Sequence, residues 1–412
     1  MQLSLFDEHH KYPCGNYHIC IEELFRAYID CRNSKRNSLS ALNFEIEYEE
    51  NLLQLKEELE NGTYSPKPSI AFIVNKPVKR EIFAADFKDR VVHHWLINKL
   101  NPYLENHFIA DSYSCRIGKG THFGINRIDE FIKDCSKNYS EDAYILKLDV
   151  QGFFMHINRK ILYKMLQNFI LIQYKGFDKG LVLEVTKKII FNNAVLNCSI
   201  KGNKNDWSDL PRNKSLFHSP PECGLPIGNL TSQIFANIYL HALDIFITQK
   251  IRNPYYGRYV DDFIIIHHDR EFLKALIPQI SNFLSIKLKL NLHPNKIYLQ
   301  HYSKGVKFLG HIIKPNRIYI SNRIKGNFFQ AIHKQNRIIH NNRPTKEILI
   351  AFLNSMNSYL GLMKHTKSYK LRKRFLLSKL SGSWLNYFYL SKGLSKFVML
   401  VRPFRKSDML PR

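Results

Sequence analysis

Residues 257–268, GRYVDDFIIIHH, constrain the fold more than any other stretch of the chain. Two apolar half-strands flank a charged pair, which is the pattern of a tight β-hairpin with Asp261 and Asp262 at its turn. Adjacent carboxylates repel one another, so a fold that keeps them must bring positive charge to them. A divalent cation is the natural source. A third carboxylate, Asp149, ends the β-prone run YILKLDV (144–150), a strand that can lie beside the hairpin in one sheet. Three hard oxygen ligands suit Mg²⁺ or Mn²⁺, which retain waters and add phosphate oxygens to their shell. Two such ions roughly 3.5–4 Å apart can activate a 3′-hydroxyl and stabilise a departing pyrophosphate.

Each piece alone has a plainer explanation. A Tyr-x-Asp-Asp tetrapeptide arises by chance, an Asp at a strand end is usually a cap, and GLPIG (224–228) is usually a turn. Their order is more telling: strand-Asp149, then GLPIG leading a long apolar helix, then the hairpin, then a basic helical end.

Charge supports a polyanionic partner. Of the net +26, the segment from Phe272 to Arg412 carries 27 Lys and Arg against only Glu347 and Asp408, leaving +1 for the preceding 271 residues. Such a one-sided field suits nucleic acid held by counterion release. The start MQLSLFDEHH has no secretory pattern, and no stretch reads as a membrane span, so a soluble cytoplasmic protein is expected. The seven cysteines include no C-x-x-C pair, which leaves zinc sites and disulfides without support. Nothing forces oligomerisation, and a homo- or hetero-oligomer stays open.

The pattern predicts helices over Ile46–Glu60, ending at Asn61-Gly62, over Asp89–Leu100, stopping at Pro102, and over Thr121–Lys133, with short strands around IAFIV (70–74). Asn158 is expected to cap the helix that follows it. Gly202–Pro221 reads as a polar insertion or long loop, NLTSQIFANIYLHALDIFITQKI as a helix, and VKFLGHII and RIYIS as strands. Beyond Arg323 the chain reads as helical and basic throughout.

These motifs resemble the reverse transcriptases. YVDD (259–262) is similar to their catalytic hairpin, KLDVQGFF (147–154) to the metal-binding palm strand, and GLPIGNLTSQIFAN (224–237) to the nucleotide-side motif. KREIFAADFKDRVVHHWL and YSCRIGKGTH resemble bacterial fingers, and the likeness runs from about Asn51 to Phe375. The resemblance implies an α+β right-hand polymerase: N-terminal extension and fingers over 1–140, a palm with an antiparallel sheet over 141–322 that includes the 202–221 insertion, and a basic helical thumb over 323–412. It implies RNA-directed DNA synthesis from dNTPs with two Mg²⁺ or Mn²⁺ ions, an RNA template and a DNA primer or product.

It also implies residue roles. Asp149 and Asp261 would bridge the metals, Asp262 would take a lesser share, and the Val150 carbonyl could complete one shell. Phe154 falls on the steric-gate position, with Phe153 beside it as core. Lys79, Arg80 and Arg90 are candidates for the triphosphate. Lys296 is either a general acid for pyrophosphate or a strand-end lysine. Gln233 and Asn237, four apart on one helix, either line the nucleotide pocket or cap internal backbone. Ile227 stands where most of the family has Gln. Phe308, Leu309 and Gly310 fit the primer grip, and Arg116, Lys370, Arg372, Lys373 and Arg374 are candidates for nucleic-acid contact. PIGNLTSQ, DSYSCRIGKGTH and SYLGLMKHTKSYKLR are similar to diversity-generating retroelement enzymes and defence-associated bacterial relatives. The 202–221 stretch and QGFFMHI favour the defence branch, with a dedicated non-coding RNA. A non-catalytic nucleic-acid scaffold is the rival, against which three retained carboxylates argue. An RNA-dependent RNA polymerase would normally place a second acid where this chain has Phe154.

Overall fold

The computed structural model describes residues 17–33, 38–75, 78–341 and 343–400. They fall into two compact units, each discontinuous in sequence. One comprises the chain up to Gly120 with Leu146–Ile265 and Arg270–Leu299; the other comprises Thr121–Ile145, Ile266–Asp269 and the chain from Gln300 onward.

A four-stranded sheet, with most of its residues in the first unit, takes the order Tyr256–Tyr259, Asp262–His267, Tyr144–Asp149, Tyr298–His301. Phe263, Ile264, Ile265 and Ile266 are all fully buried, so the apolar run is covered on both faces rather than alternating. A second sheet orders Arg80–Ala84, Ile70–Val74 and Ser199–Ile200. Asn158 caps the helix Arg159–Gln173 by accepting from the Ile161 amide at 3.0 Å, as its sequence predicts. The helix Tyr48–Glu60 ends at Asn61, followed by Gly62 at φ 69°.

Three expectations need correction. The helix Phe87–His107 runs through Pro102 instead of stopping there. Leu100 and Leu104, both fully buried on either side of the proline, supply packing that outweighs the lost hydrogen bond. By length and composition the helix segment Leu230–Lys250 could cross a membrane, contrary to the sequence reading, but 72% of its apolar window is buried inside the fold. The residues beyond Arg323 are not helical throughout: after helices Asn322–Asn341, Lys346–Met363 and Tyr369–Ser378 the chain closes in an antiparallel hairpin, Phe388–Leu390 with Phe397–Met399. Phe352 stacks on Trp384 at 4.0 Å and on Phe388 at 4.9 Å, so this hairpin completes the core of the second unit. That unit also holds the meander Val306–Phe308, His311–Lys314, Arg317–Ile320.

Candidate active site

The hairpin register pairs Tyr259 with Asp262, which leaves Val260 and Asp261 as a two-residue loop. Such loops want a positive φ at their first position, normally supplied by Gly. Here Val260 takes it, at φ 55°, and a β-branched residue there is strained. Arg258 braces the turn by donating from Nη1 to the Val260 carbonyl at 3.0 Å.

Arg258 is itself fully buried against fully buried Asp244 on the long helix, with Nε–Oδ1 and Nη2–Oδ2 contacts of 2.6 Å each. Tyr256 donates its hydroxyl to Asp244 at 2.7 Å. Burial alone would raise the Asp244 carboxyl, but the Arg258 charge overcomes this and holds it below its usual range. The backbone of Arg258 also pairs with 111–113: its amide donates to Asp111 and its carbonyl accepts from Tyr113, both at 2.9 Å. A Cβ at Gly257 would lie 2.2 Å from the Tyr113 hydroxyl, so only glycine permits this approach. Sequence reasoning missed the Arg258–Asp244 pair. Its signal was two opposite charges, 14 residues apart, each inside an apolar run.

Asp149 ends its strand next to a bridge between Val150 and Leu292, in which the His293 amide donates to the Asp149 carbonyl and the Gln151 amide to that of Asn291. In this geometry the carbonyl of Val150 itself is not used by the bridge. The Asp149 carboxylate accepts from Lys296 Nζ at 2.9 and 3.0 Å, and Asp262 pairs with Lys147 at 3.0 Å. Burial and then the Asp149 charge push Asp261 up to about 6. Burial also pushes Asp262 up to about 6, against the pull of Lys147. Asp262 Oδ1 is buried without a hydrogen-bond partner.

Among the described residues no trio of His, Cys, Asp or Glu is closed up around a metal-sized gap. The acids nevertheless fit a divalent cation: one oxygen is orphaned, two carboxyls are raised by burial and by neighbouring carboxylates, and lysines already sit on two of the three. A Mg²⁺ ion needs only one or two protein carboxylates when substrate phosphates supply the rest.

The other candidates divide. Phe153 is 2% exposed and Phe154 half-buried, and both Phe154 and Ile227 pack against the cluster containing Phe83, Met155 and Leu216. The Ile227 carbonyl accepts from the Phe83 amide at 2.9 Å. Gln233 is exposed and accepts from Cys115 Sγ at 2.8 Å, whereas Asn237 is fully buried and donates to the Ser114 carbonyl at 2.7 Å. Asn237 therefore caps internal backbone. Arg80 is exposed on its strand, and Lys79 lies 3.8 Å from Asp209. Arg90 is half-buried with Nε on the Ala85 carbonyl at 2.9 Å, an internal brace.

Two proposed nucleic-acid contacts are also internal. Arg116 is spent on Glu105 and on the carbonyls of Glu105 and Ile109, with its side chain 5% exposed. Arg372 donates from Nη1 to the Gly393 and Leu394 carbonyls, each at 2.8 Å. A guanidinium already holding backbone oxygens has little left for a phosphate. Lys370, Lys373 and Arg374 are exposed on the same helix. Phe308 is fully buried, while Leu309 and Gly310 form a turn at φ 47° and 81°.

The family model for reverse transcriptase (RNA-dependent DNA polymerase) matches residues 66–313, from the first strands through the hairpin to the meander. The chain belongs to the reverse transcriptase family. This reverse transcriptase is similar to Protein YkfC of Escherichia coli, 22% identical over 291 residues, or 62% of the chain and 69% of YkfC. It is similar to the group II intron-encoded protein LtrA of Lactococcus lactis, 21% identical over 334 residues, 65% of the chain and 50% of LtrA. A solved telomerase from Candida albicans aligns over 76% of the chain and 54% of its own, at 13% identity and a TM-score of 0.43. The reverse transcriptase thus spans about half the length of LtrA and of that telomerase. Its architecture is the α+β fold of the family, and the enzyme class of that family is RNA-directed DNA polymerase, a nucleotidyltransferase. Reverse-transcriptase domains use divalent metal ions.

Proposed function

We propose that this chain extends a DNA primer with dNTPs along an RNA template, using Asp149, Asp261 and Asp262 as its catalytic carboxylates with two Mg²⁺ or Mn²⁺ ions. The observation that carries the reading is the convergence of three carboxyl groups, two of them raised to about 6, at a hairpin turn braced from behind by Arg258. Bound there, the ions would activate the 3′-hydroxyl and neutralise the departing pyrophosphate. Asp149 and Asp261 would carry most of the ion binding. Asp262 takes the lesser share, because Lys147 already compensates it, and the carbonyl of Val150 is available to one shell. Lys296, which now pairs with Asp149, would be freed if that carboxylate held a cation and could then donate a proton to pyrophosphate. Phe154 is the sugar gate, and Arg80 and Lys79 meet the triphosphate. The test is extension of a primed RNA in Mg²⁺. Asp149→Ala should lower it at least a thousandfold with RNA binding retained, and synthesis by that variant at the parental rate would overturn the assignment.

The exposed Lys370, Lys373 and Arg374 are read as phosphate contacts of the thumb. Changing all three to Gln should weaken template binding and flatten the slope of log affinity against log salt by about 2–3. A parental slope would mark them as a solvated face.

For the biological setting, the reading is a bacterial antiphage system with a dedicated non-coding RNA, supported by QGFFMHI and by the 202–221 stretch. Sequencing the RNA and DNA that copurify from the native locus tests it. One abundant structured RNA with its DNA copy is expected. A variable target gene would point to a diversity-generating retroelement, and a self-splicing intron would point to the role that LtrA's name describes.

A further inference from the structure

Residues 202–221, polar and turn-rich in sequence, are not a loose loop. They form three single-turn 3-10 helices, Lys204–Trp207, Arg212–Lys214 and Leu216–His218, and a buried carboxylate gathers them. Glu81, 1% exposed on the strand Arg80–Ala84, accepts from Trp207 Nε1 at 2.7 Å and from Ser215 Oγ at 2.6 Å on one oxygen, and from the Leu216 amide on the other. Leu216, held in this way, enters the cluster of Phe83 and Met155 on which Phe154 and Ile227 rest. The same segment closes on the turn that leads into Phe154, where a Cβ at Gly152 would lie 2.7 Å from the Asn213 carbonyl.

We propose that Glu81 is a positioning residue for sugar selection, latching residues 204–218 against the cluster that seats Phe154 so that the ring cannot yield to a 2′-hydroxyl. The inference rests on the reading of Phe154 as the gate. A half-buried ring discriminates only if what lies behind it is fixed, and the fixing here comes from three donors on one carboxylate. These are charge-assisted bonds, stronger than neutral ones. A Gln in its place would turn an NH₂ donor toward a donor. Trp207→Phe removes one donor and keeps most of the bulk.

The experiment compares dNTP and rNTP incorporation on one primed RNA by the parent, Phe154→Ala, Glu81→Gln, Trp207→Phe and the Phe154→Ala/Glu81→Gln double variant. Glu81→Gln and Trp207→Phe should each lower the kcat/KM preference for dNTPs about tenfold or more, through a lower KM for rNTPs, with dNTP kcat within about threefold of the parent. The double variant should be no more relaxed than Phe154→Ala alone, since both changes act through one ring. Relaxation in Phe154→Ala with parental discrimination in the folded Trp207→Phe variant would overturn the latch and leave the gate standing. Additive relaxation in the double variant would also overturn it, because Glu81 would then be acting elsewhere. Parental discrimination in Phe154→Ala would remove the gate and the latch together.

Discussion

Asp261→Asn should abolish primer extension and at the same time make the ligand-free protein more stable, by about 1–2 kcal/mol at pH 8. Both effects come from one carboxyl. In the folded chain Asp261 is raised to about 6, first by burial and then by Asp149, so the native state holds a proton that the unfolded chain has already released. A carboxyl raised in this way contributes stability that is fully present below its ordinary value near 4 and is lost as the pH rises through 6. Above that pH the parent folds against a half-buried, repelled charge, which Asn removes at nearly constant volume. The parental Tm without metal should therefore fall as the pH rises from about 4 to about 6, and the variant's should fall less. Added Mg²⁺ should reverse the order by stabilising the parent through binding and leaving the variant nearly unmoved. Thermal melts across this range, with and without Mg²⁺, read both effects. A variant less stable than the parent at pH 8 without metal would show that Asp261 is a structural acid.

Arg258→Met should cost about 3–5 kcal/mol in urea unfolding, the largest loss expected from any single change in the hairpin. The charge of Asp244 would be left fully buried with only neutral donors such as the Tyr256 hydroxyl. Replacing Asp244 as well, by Leu, should recover much of that loss, because a buried pair contributes less than the penalty of breaking it. Activity should not recover with stability. The Val260 carbonyl would still lack its donor at 3.0 Å, and the left-handed Val260 would be free to relax and carry Asp261 with it. A single variant that loses less than 1 kcal/mol, or a double variant with parental kcat, would remove Arg258 from the support of the turn.

Much of this site can be read from the sequence because its signals are local. YVDD between apolar runs specifies a tight hairpin, although the two-residue loop is Val260-Asp261 and not the acidic pair, with Asp262 already opening the next strand; YILKLDV specifies a strand ending in Asp149. Asn158 ahead of an apolar periodic run specifies a capped helix. These are statements about neighbours within a few residues, where steric and hydrogen-bonding preferences act directly. What the sequence hides is where long side chains spend their charge. Arg372 sits among Lys370, Lys373 and Arg374 in one basic run, yet it turns inward to the carbonyls of Gly393 and Leu394, about 20 residues further along the chain. Arg116 likewise reads as a loop base and is consumed by Glu105 and backbone. The Glu81 latch is less visible still, because its donors lie 126 to 135 residues away. Pro102 fails for a related reason: local propensity argues for a stop, and the burial of Leu100 and Leu104 decides otherwise.

The interleaving of the two units has a consequence for how the chain is made. The helix Thr121–Cys135 turns Ile125, Ile128, Phe131 and Ile132 inward, and it packs against the strand His311–Lys314. That strand leaves the ribosome about 180 residues later, a delay of roughly 10–35 s at ordinary elongation rates. Throughout that interval an apolar helix face waits in a nascent chain whose completing strand has not been synthesised. A ribosome stalled before His311 would leave that face uncovered, so yield of this protein should depend on elongation speed and chaperone supply across the middle third of its message.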